Sequence, residues 1–249
     1  MPETACINIQ TVNIYRVKTM ETYDVVYILK PDLSNPELIY SLRSLEKNLP
    51  HSSVWFCGGQ PCELMPDKRM NVIQHGANRY ERVRDSMIRI CENDEITENF
   101  WLFNDDFFIL RPMEIVPVWY NGTLQERIRD IESRRGVSAY TQQLRNATET
   151  LMAAGLSQYN YAVHVPMLIN KEKMQRTLER FPECPMLRAL YGNDNEIGGV
   201  SLPDVKIHRP DVPIANGAAL VSTSDSSFIN GIVGKQIREM FPEKSRWEI

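Results

Sequence analysis

Phe100-Trp101-Leu102-Phe103-Asn104-Asp105-Asp106-Phe107-Phe108-Ile109-Leu110 decides how this chain folds. Two adjacent carboxylates, with an amide just before them, separate two blocks of large apolar side chains. A short continuous apolar run is the pattern of a strand covered on both faces. Phe100 to Phe103 is therefore expected as a central strand, with the acidic pair at its carboxyl end. A carboxylate placed inside such a run needs a partner, because burying it unpaired is costly. A divalent cation is one such partner, since Mg²⁺ is typically held by one or two carboxylates plus substrate phosphates. An Asx-turn whose aspartates cap the next element is the other.

Upstream, Asp24-Val25-Val26-Tyr27-Ile28-Leu29 is a second apolar run, stopped by Lys30-Pro31-Asp32. A helix is expected from Pro36 to Lys47, capped by Ser34 or Asn35, with Leu38, Leu42 and Leu45 as its inward stripe. Val54-Trp55-Phe56-Cys57 reads as a strand ended by Gly58-Gly59-Gln60-Pro61, and Asn71-Val72-Ile73-Gln74 as a weaker one ended by His75-Gly76. Tyr80, Val83, Met87 and Ile90 recur at helical spacing before the strand at Phe100. Strand, helix, strand, strand, helix, strand implies a mostly parallel sheet with crossover helices. Such sheets bind ligands beyond the carboxyl ends of their strands. The residues expected there are Lys30, Gly58-Gly59, His75-Gly76 and Asn104-Asp105-Asp106: a cation, flexible backbone amides, an imidazole and an acidic pair, the composition suited to a nucleotide diphosphate.

From Tyr120 to Gln158 the chain turns densely charged, with Glu126, Arg127, Arg129, Asp130, Glu132, Arg134 and Arg135 and few apolar anchors. Helices outside the sheet are expected, as a lid or an acceptor-facing subdomain; a solvated helix face is the plainer reading of each arginine. Tyr159 to Asn170 reads as a strand-like apolar run with His164 in its middle, where a satisfied core histidine competes with a metal ligand or general base. Lys171 to Phe181 is an amphipathic helix and Gly192 to Gly199 a polar loop. Val205-Lys206-Ile207 reads as a strand with His208 at its end, as a rival metal ligand. Ser222 to Phe228 reads as a polar loop before a short helix over Ile229 to Met240. Asp194 and Asp225 are candidate catalytic bases on loops.

Composition sets outer limits. Hydrophobic residues are 43% and charged residues 24%, ordinary for a globular chain with a substantial core. The net charge of -4 provides no global basic field for nucleic acid or membrane, although Arg79, Arg82, Arg84, Arg127, Arg134 and Arg135 allow a local basic track. Five cysteines, Cys6, Cys57, Cys62, Cys91 and Cys184, are an odd count with no CxxC pair, which suits a reducing compartment. Met1 to Gln10 has no apolar signal core and no apolar run is long enough to span a bilayer, so a cytoplasmic location and no membrane partner are expected. Asn121-Gly122-Thr123 and Asn146-Ala147-Thr148 match the glycosylation pattern and are read as chance matches.

Asp24 to Leu29, Tyr40-Ser41-Leu42-Arg43-Ser44-Leu45-Glu46-Lys47-Asn48, Leu102 to Phe107 and Tyr161-Ala162-Val163-His164-Val165-Pro166 together resemble, in order, the blocks of the Stealth family of sugar-phosphate transferases. The Asn104-Asp105-Asp106-Phe107-Phe108 segment, the His164 block and the serine-rich tail also look like those of compact glycosyltransferase-like proteins encoded by bacteriophages. Both resemblances imply an α/β, GT-A-like, mostly parallel sheet flanked by helices, with a helical insertion. They imply one domain, with 1–119 as the nucleotide-sugar-binding half, 120–158 as the helical insertion or lid, and 159–249 as the acceptor-side half and C-terminal helix.

The implied activity is transfer of a hexose from a nucleotide-diphosphate sugar, such as a UDP-sugar, to an acceptor hydroxyl on a glycan or a hydroxymethylated base in phage DNA. The alternatives are Stealth-type transfer of sugar and phosphate together to a glycan, and a non-catalytic nucleotide-sugar or glycan-binding module. The implied metal, Mn²⁺ or Mg²⁺, would be held by Asp106, with Asp105 completing its shell or binding the donor ribose or sugar; His164 and its rival His208 are the candidates for a further ligand. Asp24, Tyr27, Lys30, Arg43, Gly58, Gly59, Asn104 and Asp105 are the expected donor-binding residues; Arg43 has a competing structural role as a clamp to Asp24 or Glu46. His164, Asp194 and Asp225 are the expected catalytic residues.

Overall fold

The computed structural model describes residues 21–32, 34–72, 78–184 and 186–249. In chain order these form β1 (Asp24–Leu29), α1 (Pro36–Asn48), β2 (Val54–Gly58), β3 (Lys68–Met70), α2 (Arg79–Glu92), β4 (Asn99–Phe103), β5 (Phe107–Ile109) and β6 (Trp119–Tyr120). They continue as α3 (Leu124–Arg135), α4 (Ala139–Ala153), β7 (Met167–Asn170), α5 (Lys171–Arg180), α6 (Leu187–Asp194), β8 (Val200–Ser201), β9 (Lys206–Ile207), β10 (Leu220–Thr223), α7 (Asp225–Asn230) and α8 (Ile232–Met240).

The main sheet runs β3-β2-β1-β4-β7, with the first four strands parallel and β7 antiparallel to β4. This is an α/β fold with a mostly parallel sheet flanked by helices. Alternation along β1 explains its two faces. Val25, Tyr27 and Leu29 pack with Leu38, Leu42 and Leu45 of α1 on one side, while Val26 packs with Met87 and Ile90 of α2 on the other. Each such fully buried Leu or Ile contributes about 1.5–3 kcal/mol over an exposed one. Because right-handed crossovers fix which face a helix covers, helices on opposite faces mean that the winding reverses direction at β1. The reversal falls between β1 and β4.

Asn35 caps α1, its side chain accepting the Leu38 N–H, and Pro36 opens the helix. The third strand lies at Lys68–Met70, ahead of the expected Asn71–Gln74. It is an edge strand whose Lys68 and Arg69 are exposed and whose Met70 is half-buried, so no apolar run marks it. Asn71 and Val72 follow it; Ile73, Gln74, the His75-Gly76 strand end, Cys6 and Met1 to Gln10 lie outside the described residues.

Three other expectations are corrected. His164 sits in a bend ahead of β7 rather than inside a strand: its N–H donates to Asp204, and Pro166 has no N–H to offer a ladder. Gly192, Asn193 and Asp194 close α6 instead of forming a loop; a Cβ at Gly192 would lie 2.3 Å from the Tyr161 ring. Ser222 and Thr223 belong to β10, and two helices follow.

The charged stretch after Tyr120 holds α3 and α4, each opened by a capping box, at Thr123 and at Ser138. Its apolar anchors are more numerous than the charge density suggests. Leu124, Ile128, Leu144, Ala147 and Leu151 join Phe181 and Leu190 in a core of their own. No helix among the described residues is long and apolar enough to cross a membrane.

Candidate active site

A winding reversal leaves a crevice beyond the carboxyl ends of the two strands that flank it. Here a cleft of about 500 Å³ opens at that point, lined by Lys30 after β1 and by Asn104, Asp105 and Asp106 after β4. Glu37, Arg79, Tyr80, His164, Arg188, Lys206 and Asp225 complete the polar wall.

Strand register dictates the surroundings of Asp106. β10 runs antiparallel to β5 with Ser222 opposite Phe107, and parallel to β9 with Ser222 opposite Lys206. Ser222 Oγ therefore donates to Asp106 Oδ2 at 3.1 Å, and Lys206 Nζ forms an ion pair with the same oxygen. Asp106 Oδ1 is buried and has no hydrogen-bond partner among the described residues. An orphaned carboxylate oxygen is expensive unless a ligand satisfies it.

Asp105 Oδ2 accepts Asn35 Nδ2 at 2.7 Å, which ties the acidic turn to the residue that caps α1. Burial raises the Asp105 carboxyl above its usual range, the Asn35 bond opposes this, and the Asp106 charge adds to it. Glu37, in the first turn of α1, accepts the Thr223 hydroxyl at 2.5 Å. Burial pushes Glu37 up to about 8, against that hydrogen bond and with the help of Asp106, Asp105 and Asp225. Four acidic side chains thus share one field.

The cations answer them. Arg188 Nη2 donates to the Val165 carbonyl, its guanidinium lies 5.7 Å from the Phe107 ring centroid, and its Nε is buried without a partner among the described residues. Burial pushes Arg188 down to about 10, opposed by Asp204 and Asp106. His164 Nδ1 lies 2.8 Å from Asp204 Oδ2, while its backbone N–H donates to Asp204 Oδ1 at 3.0 Å. Donation from Nδ1 to a carboxylate leaves Nε2 as the ring atom with a lone pair. Burial raises the Asp204 carboxyl, but the hydrogen bond and charge of His164 outweigh it and hold the group below its ordinary value.

A second cleft, of about 570 Å³, shares Arg79, His164 and Lys206 with the first. Arg127, Arg134 and Arg135 of α3, together with Asp204 and His208, form the rest of its charged lining. Burial lowers the His208 imidazole, and Lys206, His164 and Arg135 lower it further.

Of the sequence-predicted residues, Lys30, Asn104, Asp105, Asp106, His164 and Asp225 meet in the first cleft. His208 lines the second, apart from the acidic pair. Asp24 begins β1 at the opposite end of the sheet, where its carboxylate accepts the Ser53 and Thr97 N–H groups and Trp55 Nε1. Tyr27 is fully buried, with its hydroxyl 3.0 Å from Ser41 Oγ. Arg43 clamps the C-terminus through two 2.7 Å bonds to Glu248 and others to the Phe241 and Pro242 carbonyls, rather than to Asp24 or Glu46. Gly58 ends β2 at φ 100, and Gly59 packs beneath Lys30, where a Cβ would come within 1.7 Å of the Lys30 carbonyl oxygen. Asp194 joins α5 to α6 by accepting from Thr177 and Arg180.

Sequence reasoning missed Glu37, Arg188, Asp204 and Lys206. Glu37 carried a signal, since an acidic residue opening the helix after β1 faces the strand ends. Asp204 and Lys206 flank Val205 in a segment already singled out as a strand. Arg188 lies on a short helix and carried none.

Among the described residues, no group of three His, Cys, Asp or Glu side chains stands close enough to hold a metal ion by itself. The acidic pair fits a divalent ion in another way: one buried, unpartnered oxygen on Asp106, with Asp105 beside it, suits an ion completed by phosphate oxygens and water.

No family model matches the chain, and no curated protein matches it. Among solved structures it is similar to the galactosyltransferase LgtC in complex with donor and acceptor sugar analogs, with a TM-score of 0.48 and 12% identity over 89% of this chain and 96% of that chain. It is also similar to an active-site mutant of LgtC, with a TM-score of 0.45 and 12% identity over 87% of this chain and 94% of that chain.

Proposed function

We propose that the chain is a glycosyltransferase that moves a sugar from a nucleotide-diphosphate donor to an acceptor hydroxyl. The observation that carries this reading is the meeting, at the β1/β4 reversal, of an acidic turn, the cations Lys30, Arg188 and Lys206, and an Asp-held histidine. The cations match a diphosphate, and the spare Nε of Arg188 is a donor awaiting an acceptor.

Asp106 and Asp105 would hold Mn²⁺ or Mg²⁺. The ion would supply charge neutralisation at the departing diphosphate. In the transfer the acceptor oxygen bonds to the anomeric carbon, and the bond from that carbon to the donor phosphate oxygen breaks. The nucleoside diphosphate departs with that electron pair. His164 Nε2 takes the acceptor's hydroxyl proton, and Asp204 stabilises the imidazolium that results. Lys30 and Arg188 bind and orient the phosphates. Asp225 lines the cleft from the start of α7 and would contact the donor sugar, while Asp194 and Arg43 serve the fold. A UDP-sugar is the donor to test first.

The test is a transfer assay with product mass. Adding only a sugar supports the proposal. Adding sugar plus phosphate supports Stealth-type transfer instead, and donor binding without any product supports a binding module.

A further inference from the structure

We infer that the second cleft seats an acceptor carrying a phosphate close to the hydroxyl that receives the sugar; this rests on reading the first cleft as the donor site. α3 presents Arg127, Ile131, Arg134 and Arg135 to the cleft, the spacing of a single helical stripe. Arg79 and Lys206 face the same space, and the one carboxylate among the described lining residues is Asp204, already bound to His164. Asp130 pairs with Arg127 and Arg134, and Asp106 pairs with Lys206. Among the described residues no carboxylate forms an ion pair with Arg79 or Arg135; Arg79 stacks on Tyr80 and donates to its hydroxyl at 2.7 Å.

A chain with a net charge of -4 has thus concentrated four arginines in one concave site, where Arg127 and Arg134 share a single carboxylate, Asp130, and Arg79 and Arg135 pair with none among the described residues. A solvated helix face does not account for this, because the stripe lines a cleft together with two histidines. Nor are all the neighbouring arginines used alike. Arg84 is turned inward to the carbonyls of Leu178, Phe181 and Cys184, where it closes the end of α5. A neutral sugar hydroxyl has no need of such a field, whereas a phosphate gains charge-assisted, fork-matched hydrogen bonds from it. His164 and Lys206 belong to both clefts, so an acceptor anchored on these arginines presents its hydroxyl at His164.

The test titrates the 249-residue chain by calorimetry with glucose 6-phosphate, glucose and a single-stranded oligodeoxynucleotide, and separately with the nucleotide sugar. The variants are Arg134→Gln/Arg135→Gln and the charge-retaining Arg134→Lys/Arg135→Lys, at two exposed positions outside the donor cleft. A phosphorylated probe is expected to bind the wild type and to lose about tenfold in the Gln pair. The Lys pair recovers most of the loss, and nucleotide-sugar binding does not change. Glucose 6-phosphate binding without the strand identifies a small phosphorylated sugar as the source of the phosphate. Strand binding, with a log–log salt slope reduced by about 1.4 in the Gln pair, identifies a phosphodiester backbone. Equal binding of glucose and glucose 6-phosphate with no binding of the strand overturns the inference, as does undiminished phosphate binding in the Gln pair. If phosphate probes bind as expected but no nucleotide sugar binds, the donor reading has failed, and the acceptor assignment falls with it while the phosphate site stands.

Discussion

His164 and Asp204 meet twice: Nδ1 lies 2.8 Å from one carboxylate oxygen, and the His164 backbone N–H donates to the other at 3.0 Å. The double contact fixes both the ring and the bend that carries it. A positioned general base contributes roughly 10²–10⁴-fold to rate. His164→Ala is therefore expected to lose about that factor in kcat while nucleotide-sugar affinity holds, read by initial rates beside calorimetry.

Asp204 also carries a stability signature. Its folded-state carboxyl lies below the ordinary value, chiefly through His164 acting against burial, so the stabilisation is present above the unfolded-state value and is lost as pH falls through the lowered folded-state one. Asp204→Asn should flatten that acid limb of the stability curve. Urea melts from neutral pH to about pH 2 would show an unchanged acid limb if the pair contributed nothing.

Glu37 has the opposite sign. Its folded-state value of about 8 exceeds the unfolded reference of 4.5, so the folded protein binds more protons between them and loses stability as pH rises through that window. Glu37→Gln removes this slope and is expected to stabilise the protein at pH 8 by at least about 1.4 kcal/mol, the value of one pKa unit. Melting curves at pH 5 and pH 8 measure the difference.

Arg43 and Glu248 form a bidentate pair with side-chain exposures of 11% and 7%. Removing one partner strands the other, at a cost of about 3–5 kcal/mol for a buried pair. Arg43→Ala should lower the melting temperature by several degrees and leave donor affinity per folded molecule unchanged. A selective loss of donor affinity would return Arg43 to the site.

Gly59→Ala places a Cβ 1.7 Å from the Lys30 carbonyl oxygen, a clash with backbone that forces the β1–α1 turn and the segment after β2 apart. Because that turn carries Lys30, both stability and donor affinity should fall. Calorimetry on the folded fraction separates the two effects.

The parallel sheet was legible because central strands need apolar residues on both faces, and Val25 to Leu29, Val54 to Cys57 and Phe100 to Phe103 carry that signature. Edge strand β3 needs no such residues and was misplaced. The acidic turn was legible because carboxylates between Phe103 and Phe107 demand a partner. The partner the fold provides, Lys206, was not legible, since it depends on the register of β9 and β10 across long sequence distances. The same holds for Asp204: His164 was singled out from its own segment, but what orients it lies in another. Asp24, Tyr27 and Arg43 fall within blocks that resemble a transferase family, yet their side chains serve the sheet and the C-terminus. Proximity in sequence to a site-forming block does not place a side chain in the site.

The most direct measurement is the melting temperature of the wild type and of Asp106→Asn with a panel of nucleotide sugars, each with and without Mn²⁺. Ligand at a hundred times its dissociation constant stabilises by about 2.7 kcal/mol. At least one nucleotide sugar should raise the wild-type melting temperature by several degrees, more with Mn²⁺ than without, and the variant should lose the metal-dependent part. Equal shifts in the two proteins, or no shift with any nucleotide sugar, would contradict a donor site at the Asp105–Asp106 turn.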